Sequence, residues 1–444
     1  MLTSRAIDRR IIGLTIPAVA TIAADPLYEL TDTAILGHLG SSALGGAAVA
    51  STLLLNGYAA FIFLLYGTTS IVARLRGAGR AAEAAQHGIG ALWVAGTAGA
   101  AIGLALWPIA PTVLRWAGAT GPVIDAALTY FRISLWGLPA FFIVMAGAGA
   151  RRGVQDLRTP LAITLAAVSM NLVLEVVLIV GMGYGVGASA ATTVTAKWAA
   201  ALAYVALVVR DASSQGVSIR PTRAAIRAVS GAGVPLLIRT VALRATLTLA
   251  IAVAGRMGEV DLSAYAIAFG VSSTVAYLCE GLEVAAHTLV GTALGAGDGP
   301  AAAAIARRVV RFGAILGVGA MAVVALAAPW LPHLFTPDYD IRRATSGSLR
   351  WVALMQPVAV VSFALDGVLI GAGDLRFLAI AMPAAAGVFA ALAAIVVVSG
   401  AGLWALWAAM IAFMAMRALL LGHRLVGDRW ASAKLSGSWP TPRL

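Results

Sequence analysis

Residues 11–37 read IIGLTIPAVATIAADPLYELTDTAILG and residues 229–255 read VSGAGVPLLIRTVALRATLTLAIAVAG. Each is an apolar run of membrane-spanning length, because a hydrocarbon core about 30 Å thick takes roughly 20 residues of helix. Laid over one another they pair Gly13 with Gly231 and Pro17 with Pro235, a spacing of 218 in both cases (231 − 13 and 235 − 17). The register continues without a gap. Gly40 meets Gly258, Gly77-Ala78-Gly79 meets Gly295-Ala296-Gly297, Arg132 meets Arg350, and Pro139 meets Pro357. Gly153 then meets Gly371, Asp156-Leu157-Arg158 meets Asp374-Leu375-Arg376, and the match fades beyond residue 160. An Ala- and Gly-rich chain matches itself by chance, but paired Pro, Arg and Asp in one register are not explained that way. The chain reads as two copies of one unit.

Composition places both copies in lipid. Of 444 residues 61% are hydrophobic and 11% charged, and the mean hydropathy is +0.92, whereas a soluble domain carries roughly 25% charge. The net charge of +12 is spread as small basic clusters between apolar runs, not as one stripe, which argues against nucleic acid as a partner. Cys279 is the only cysteine, so neither an intrachain disulfide nor a cysteine metal cluster is available. The first run is too long and too acidic for a signal peptide and reads as a retained helix.

Apolar length, punctuated by Gly, Pro and charge, predicts helices near 11–37, 44–73, 88–113, 131–150, 160–183, 188–209, 228–255, 262–294, 310–332, 348–372, 376–399 and 402–424. The expected fold is therefore an all-α membrane protein of twelve transmembrane helices in two pseudo-symmetric six-helix bundles. Six helices have even parity, so both copies insert in the same sense about an axis along the membrane normal. Alternate loops hold Arg74/Arg76/Arg80, Arg151/Arg152/Arg158, Arg210/Arg220/Arg223/Arg227 and Arg307/Arg308/Arg311. Those loops and both termini are expected in the cytoplasm of a cell whose inner membrane holds the protein. The expected division is an N-terminal lobe over 1–212, a basic linker over 213–227, and a C-terminal lobe with a short basic tail over 228–444.

A carboxylate at mid-membrane costs about 2.5–3.5 kcal/mol, so it persists where it lines a wet cavity or acts on an ion. In the first helix Asp25, Glu29 and Asp32 stand at i, i+4 and i+7, on one face. Pro26 among them removes a backbone donor and permits a kink. Asp25 and Glu29 can alternatively pair with intramembrane cations such as Lys197, Arg239 or Arg244. In the fifth helix Asn171 and Glu175 are one turn apart, and the sixth offers Thr192, Thr193 and Thr195. Carboxylate, amide and hydroxyl oxygens suit a proton or a hard cation such as Na⁺; for Asn171 an interhelical hydrogen bond is the plainer role. Symmetry does not demand these acids, since the second-copy equivalents of Asp25, Glu29, Asp32 and Glu175 are Leu243, Leu247, Ala250 and Ala393. The second copy has its own set, Glu280, Glu283, His287 and Asp366, read either as a second titrating site or as structural pairing. Tyr28, Tyr58, Phe61, Tyr66, Phe142, Tyr265, Phe269 and Tyr277 offer aromatic faces for packing or for organic cations.

The run Glu29-Leu30-Thr31-Asp32-Thr33-Ala34-Ile35-Leu36-Gly37-His38-Leu39-Gly40 resembles the multidrug and toxic compound extrusion (MATE) family, in its DNA-damage-inducible F branch. So do Asp25-Pro26-Leu27-Tyr28, Leu65-Tyr66-Gly67-Thr68-Thr69, Arg152-Gly153-Val154-Gln155-Asp156, Asn171 with an acid four residues on, and Leu289-Val290-Gly291 through Leu294-Gly295-Ala296-Gly297-Asp298. The resemblance implies two six-helix lobes opening alternately, with H⁺ or Na⁺ entry driving efflux of varied, often cationic and lipophilic compounds. It makes Asp32 the first-helix acid, Asn171 and Glu175 the fifth-helix pair (with Glu where the family has Asp), and Thr192 or Thr193 the sixth-helix Thr. Glu280 and His287 stand where this branch often has Asp and Gln.

The function expected is thus secondary antiport by a monomer that needs no cofactor beyond its coupling ion, with organic cations and membrane lipids as its partners. A flippase for lipid-linked precursors, which calls for a cationic cavity, is the alternative that Arg239 and Arg244 keep open. A membrane enzyme using Glu283 and His287 is the remote one, without the His-Glu-x-x-His or serine-elbow pattern to accompany it.

Overall fold

In lipid every backbone N–H and C=O must be satisfied within its own segment, which leaves a chain this apolar only helices or a closed barrel. The computed structural model describes residues 4–427 and 430–431, with the backbone alone for residues 25–30; within them no strand forms. The side chains of Asp25, Pro26, Tyr28 and Glu29, and most of the expected basic tail, lie outside the described residues. The first copy comprises α1 (Ser4–Gly37), α2 (Ser41–Ala60), α3 (Phe63–Gly77), α4 (Ala81–Trp116), α5 (Pro122–Leu135), α6 (Leu138–Gly153), α7 (Arg158–Glu175) and α8 (Val186–Ser214). The second comprises α9 (Arg223–Met257), α10 (Glu259–Gly295), α11 (Gly299–Ala327), α12 (Tyr339–Gly371), α13 (Leu375–Ser399) and α14 (Leu403–Val426). Ten spans, with α2–α3 taken as one, are long and apolar enough to cross a membrane, the bent pair α5–α6 makes an eleventh, and the 34-residue α1 brings the helices to twelve.

Two predicted helices are broken. The span expected over 44–73 turns at Phe61-Ile62. The one expected over 131–150 begins earlier, at Pro122, and bends by 49° between α5 and α6. Pro139 supplies no N–H to the carbonyl of Leu135, so the helical ladder stops there. Its counterpart Pro357 sits inside α12 without ending it.

The repeat is visible in the packing. A Cβ placed on Gly99 would lie 2.6 Å from Pro139 Cα, and one on Gly317 would lie 2.7 Å from Pro357 Cα; each glycine lets α4 or α11 ride directly over its proline. Gly79 and Gly297 both take φ +74°, closing α3 and α10 with the left-handed residue that such a C-terminus needs. At the centre of each copy, α6 packs on α3, α4 and α8, and α12 packs on α10, α11 and α14. In the second copy the stacked rings of Tyr265, Phe269 and Trp407 (5.8 and 5.1 Å between centroids) belong to the hydrophobic core.

The chain folds as two compact units, one running from Ala20 to Gly233 and the other joining the chain up to Val19 to the part from Val234 onward. The first half of α1 therefore belongs with the second copy, where Arg308 Nε and Nη2 donate to the two carboxylate oxygens of Asp8 at 2.6 and 2.8 Å. The start of α9 belongs with the first copy, where Ala225 and Ala232 lie against Gly90 and Gly67. The expected linker over 213–227 is held inside that unit as well: the carbonyls of Arg220 and Ile219 accept from Gln86 Nε2 (2.9 Å) and Trp93 Nε1 (3.0 Å).

Candidate functional site

Three helices of the first unit bring the expected residues together. Asp32 comes from α1, Asn171 and Glu175 from α7, and Thr192 and Thr193 from α8. The i, i+4 spacing on α7 turns Asn171 and Glu175 to one side, and both are buried, at 2% and 0% exposure. Ser189 Oγ donates to Asp32 Oδ1 at 2.8 Å. The Thr192 and Thr193 hydroxyls donate to the Ser189 carbonyl at 2.8 and 3.0 Å, and Thr192 Oγ1 also stands 3.4 Å from Glu175 Oε1. The Asn171 amide is assigned so that its nitrogen donates to Glu175 Oε1 and its oxygen accepts from the Thr193 N–H, each at 3.0 Å; the opposite assignment turns the amide oxygen toward acceptors only.

The carboxyl groups of Asp32 and Glu175 are neighbours, close enough to interact directly. Glu175 Oε2 has no donor among the described residues, and neither acid has an ion-pair partner there. Two ionised carboxylates this close repel one another unless a proton or another cation neutralises part of their charge. Tyr130 of α5, buried to 5% exposure, lies beside Ser189 and close to both acids. Its position and that of Ser189 gave no sequence signal, because each is a single polar residue inside a helical run and meets the acids only through tertiary packing.

Asp32 opens on a cavity of about 240 Å³ that Tyr58, Tyr130, Phe141, Thr193 and Lys197 also line. Asn171 faces a second cavity, of about 170 Å³, which shares Phe141, Thr193 and Lys197 with the first. The Lys197 ammonium sits 5.2 Å from the centre of the Phe141 ring, and Tyr58 stacks on that ring at 3.8 Å. Of the aromatic residues singled out from sequence, Tyr58 is thus in the cavity, while Phe142 and Tyr265 are packed to 1% exposure.

The acids of the second copy are held differently. Asp366 Oδ2 accepts from Arg239 Nη2 at 3.0 Å and from Arg417 Nη2 at 2.5 Å. Glu283 Oε1 lies 3.8 Å from Arg239 Nη2. All four side chains are at most 5% exposed, and two negative charges face two positive ones. Glu283 therefore has Arg239 as its ion partner, beyond the pairing with His287 that the one-turn spacing suggested. Arg417 belongs to none of the residues the sequence pointed to. No group of three His, Cys, Asp or Glu side chains suited to a metal occurs among the described residues.

The sequence matches the family described as MatE twice, over residues 17–177 and 235–417, two stretches that begin 218 residues apart like the internal repeat. The chain is similar to DNA damage-inducible protein F of Escherichia coli (strain K12), 28% identical over 437 residues that cover 97% of this chain and 94% of that one. It is also similar to Protein DETOXIFICATION 44, chloroplastic, of Arabidopsis thaliana, 29% identical over 449 residues covering 98% and 84% of the two chains. Among solved structures, an outward-facing multidrug resistance transporter shares the fold with a TM-score of 0.86 at 21% identity, over 95% of this chain and 96% of that one.

Proposed function

Because the chain belongs to the MatE family of multidrug and toxic compound extrusion transporters, we propose that it exports small, lipophilic organic cations in exchange for H⁺ or Na⁺, through the acid pair of its first unit. The family is one of transporters and not of enzymes, so Glu283 and His287 have no hydrolytic part to play. The observation that carries the proposal is the proximity of Asp32 and Glu175, neither of which has an ion-pair partner among the described residues, beside a cavity whose walls include Tyr58 and Phe141.

With both carboxyl groups ionised, the cavity attracts a cationic substrate, and the aromatic faces of Tyr58 and Phe141 suit its apolar body. A proton or Na⁺ entering between Asp32 and Glu175 removes that attraction and favours release. The ion thereby supplies the differential free energy that an alternating-access switch requires. The unpartnered Oε2 of Glu175 beside a second carboxyl group suits a shared proton best. The second reading, Na⁺, would draw on the oxygens of Asp32, Asn171 and Glu175. The protein then sits in the inner membrane with both termini in the cytoplasm, as the basic loops indicate.

The test is efflux of a fluorescent organic cation from inverted or intact vesicles, driven separately by a proton and a sodium gradient. Asp32→Asn and Glu175→Gln should each abolish gradient-driven efflux while the protein inserts and elutes as the wild type does. Undiminished efflux in both variants removes the acid pair from the mechanism, and efflux driven by Na⁺ alone overturns the proton.

A further inference from the structure

The cavity on the Asn171 side runs along one face of each of three helices. On α6 the lining residues Phe141, Met145, Ala148 and Arg152 are spaced by three and four, so the slot extends about 16 Å along that helix. α7 contributes Ile163, Ala167 and Val168 before it reaches Asn171, and α8 contributes Lys197 and Tyr204. The walls are apolar apart from a few hydroxyl and amide groups and two cations. Lys197 sits at the Phe141 end, stacked on that ring, and shares the neighbouring cavity with Asp32. Arg152 stands at the other end, 6% exposed, its Nη1 without a hydrogen-bond partner and its guanidinium in no ion pair among the described residues.

Arginine does not shed its charge inside a protein, and a buried charge without a counter-ion is costly. The second copy shows how this chain meets the same demand elsewhere. Thr21, Leu65 and Ala148 of the slot correspond at the 218-residue spacing to Arg239, Glu283 and Asp366. There the equivalent space is filled by two arginines and two carboxylates in balance. In the first copy the acids are replaced by Leu65 and Ala148, the space is open, and a buried arginine remains. The residue equivalent to Arg152 is Ile370, so this cation belongs to the first copy alone.

We propose that the slot between α6, α7 and α8 binds an apolar anion, a carboxylate or phosphate amphiphile whose head group meets Arg152 and whose chain lies along Ala167 and Val168. A guanidinium forms paired, charge-assisted hydrogen bonds with either head group, and the slot's length and apolar walls take an extended hydrocarbon tail. The same head-group chemistry is offered by a membrane phospholipid and by a free amphiphilic acid.

The experiment uses the full chain purified in a non-ionic detergent and titrated with dodecanoate, dodecyl phosphate, dodecanol and dodecyltrimethylammonium, with binding read by native mass spectrometry. The two anions should bind the wild type and the alcohol and the cation should not. Arg152→Gln should weaken anion binding at least about tenfold, and Arg152→Lys, which keeps the charge and loses the paired geometry, should recover only part of it. If Arg152→Gln does not fold, Ala167→Phe narrows the slot with Arg152 in place and should block the anions equally. A phospholipid mass that persists on the wild type and is lost in Arg152→Gln identifies a lipid as the occupant; its absence, with dodecanoate bound, identifies a free acid. Equal anion affinity in wild type, Arg152→Gln and Ala167→Phe, or preference for the cation, overturns the proposal. Neither result depends on whether Asp32 and Glu175 couple transport, which the vesicle assay reads separately.

Discussion

Replacing Arg417 by Met takes one of two cations from a buried, balanced group of four charges. Asp366 then keeps only Arg239, at 3.0 Å, and that guanidinium must also answer Glu283, 3.8 Å away. One net negative charge is left in a site whose members are between 0% and 5% exposed. Breaking a buried pair on one side costs about 3–5 kcal/mol. For a folding unit of 150–250 residues each kcal/mol moves the melting point by about 2–4 °C, so the single variant should melt about 6–20 °C below the wild type. Asp366→Asn alone leaves the opposite imbalance, two cations against Glu283, and should fall by a similar amount. The double variant restores one cation facing one anion, Arg239 with Glu283. It should therefore lose less than either single change, with a coupling energy at the upper end of the ~0.5–3 kcal/mol seen between contacting residues. Melting followed by fluorescence-detected size-exclusion chromatography measures all four proteins under one condition, and vesicle efflux is measured beside it. Additive losses would show that the four charges do not act as one balanced group. A double variant that folds well and yet transports no better than Asp32→Asn would show that the cluster takes part in coupling and is more than scaffold.

Gly99→Ala and Gly317→Ala should each destabilise by about 1–3 kcal/mol, because the new methyl would lie 2.6 or 2.7 Å from a proline Cα that the bend or the helix holds in place; a melting point less than about 2 °C below wild type in both, under the smallest shift that cost implies, would refute the close-approach argument. Ser189→Ala removes the hydroxyl that donates to Asp32 at 2.8 Å. A hydrogen bond to a charged group is worth about 1.5–3 kcal/mol, so efflux should slow by about tenfold or more in Ser189→Ala with insertion unchanged, whereas Ser51→Ala, on the wall of the same cavity, should leave it near normal.

Much of this was legible because two patterns survive without coordinates. The 218-residue register needs only residue identities, and the Gly99–Pro139 and Gly317–Pro357 contacts show why those positions stay paired: the helices cannot approach otherwise. The acid site was legible because a carboxylate in an apolar helix has few reasons to be there, and because Asn171 and Glu175 share a helical face. What the sequence hid is what depends on distant packing. Ser189 reaches Asp32 across 157 residues of chain. Tyr130 sits on a helix whose start was placed nine residues too late, since expected position 131 became Pro122. Arg417, in α14 a turn or two before His423 and Arg424, reads like an interfacial arginine and proves to be buried at 1%. The six-residue π-helical segment Val176–Gly181, which begins directly after Glu175, has no sequence mark either, although such segments gather at functional sites.

The two copies solve one structural problem in opposite ways. Gly149 presses against the carbonyl of Leu65, and its counterpart Gly367 presses against the carbonyl of Glu283, so the backbones at the heart of each copy meet at the same place. Around that shared contact the second copy places Arg239, Asp366, Glu283 and Arg417, two cations whose charges balance two carboxylates. The first copy places Thr21, Leu65 and Ala148 there, leaves a slot, and sets its own carboxylates, Asp32 and Glu175, a short distance off with no arginine paired to them among the described residues. A balanced cluster resists changes of ionisation, because protonating either acid strands a buried arginine. An unbalanced pair invites them, because a cation entering between two carboxylates relieves a repulsion. On the antiport proposed above, it is therefore the acid pair of the first copy whose charge an entering cation would change.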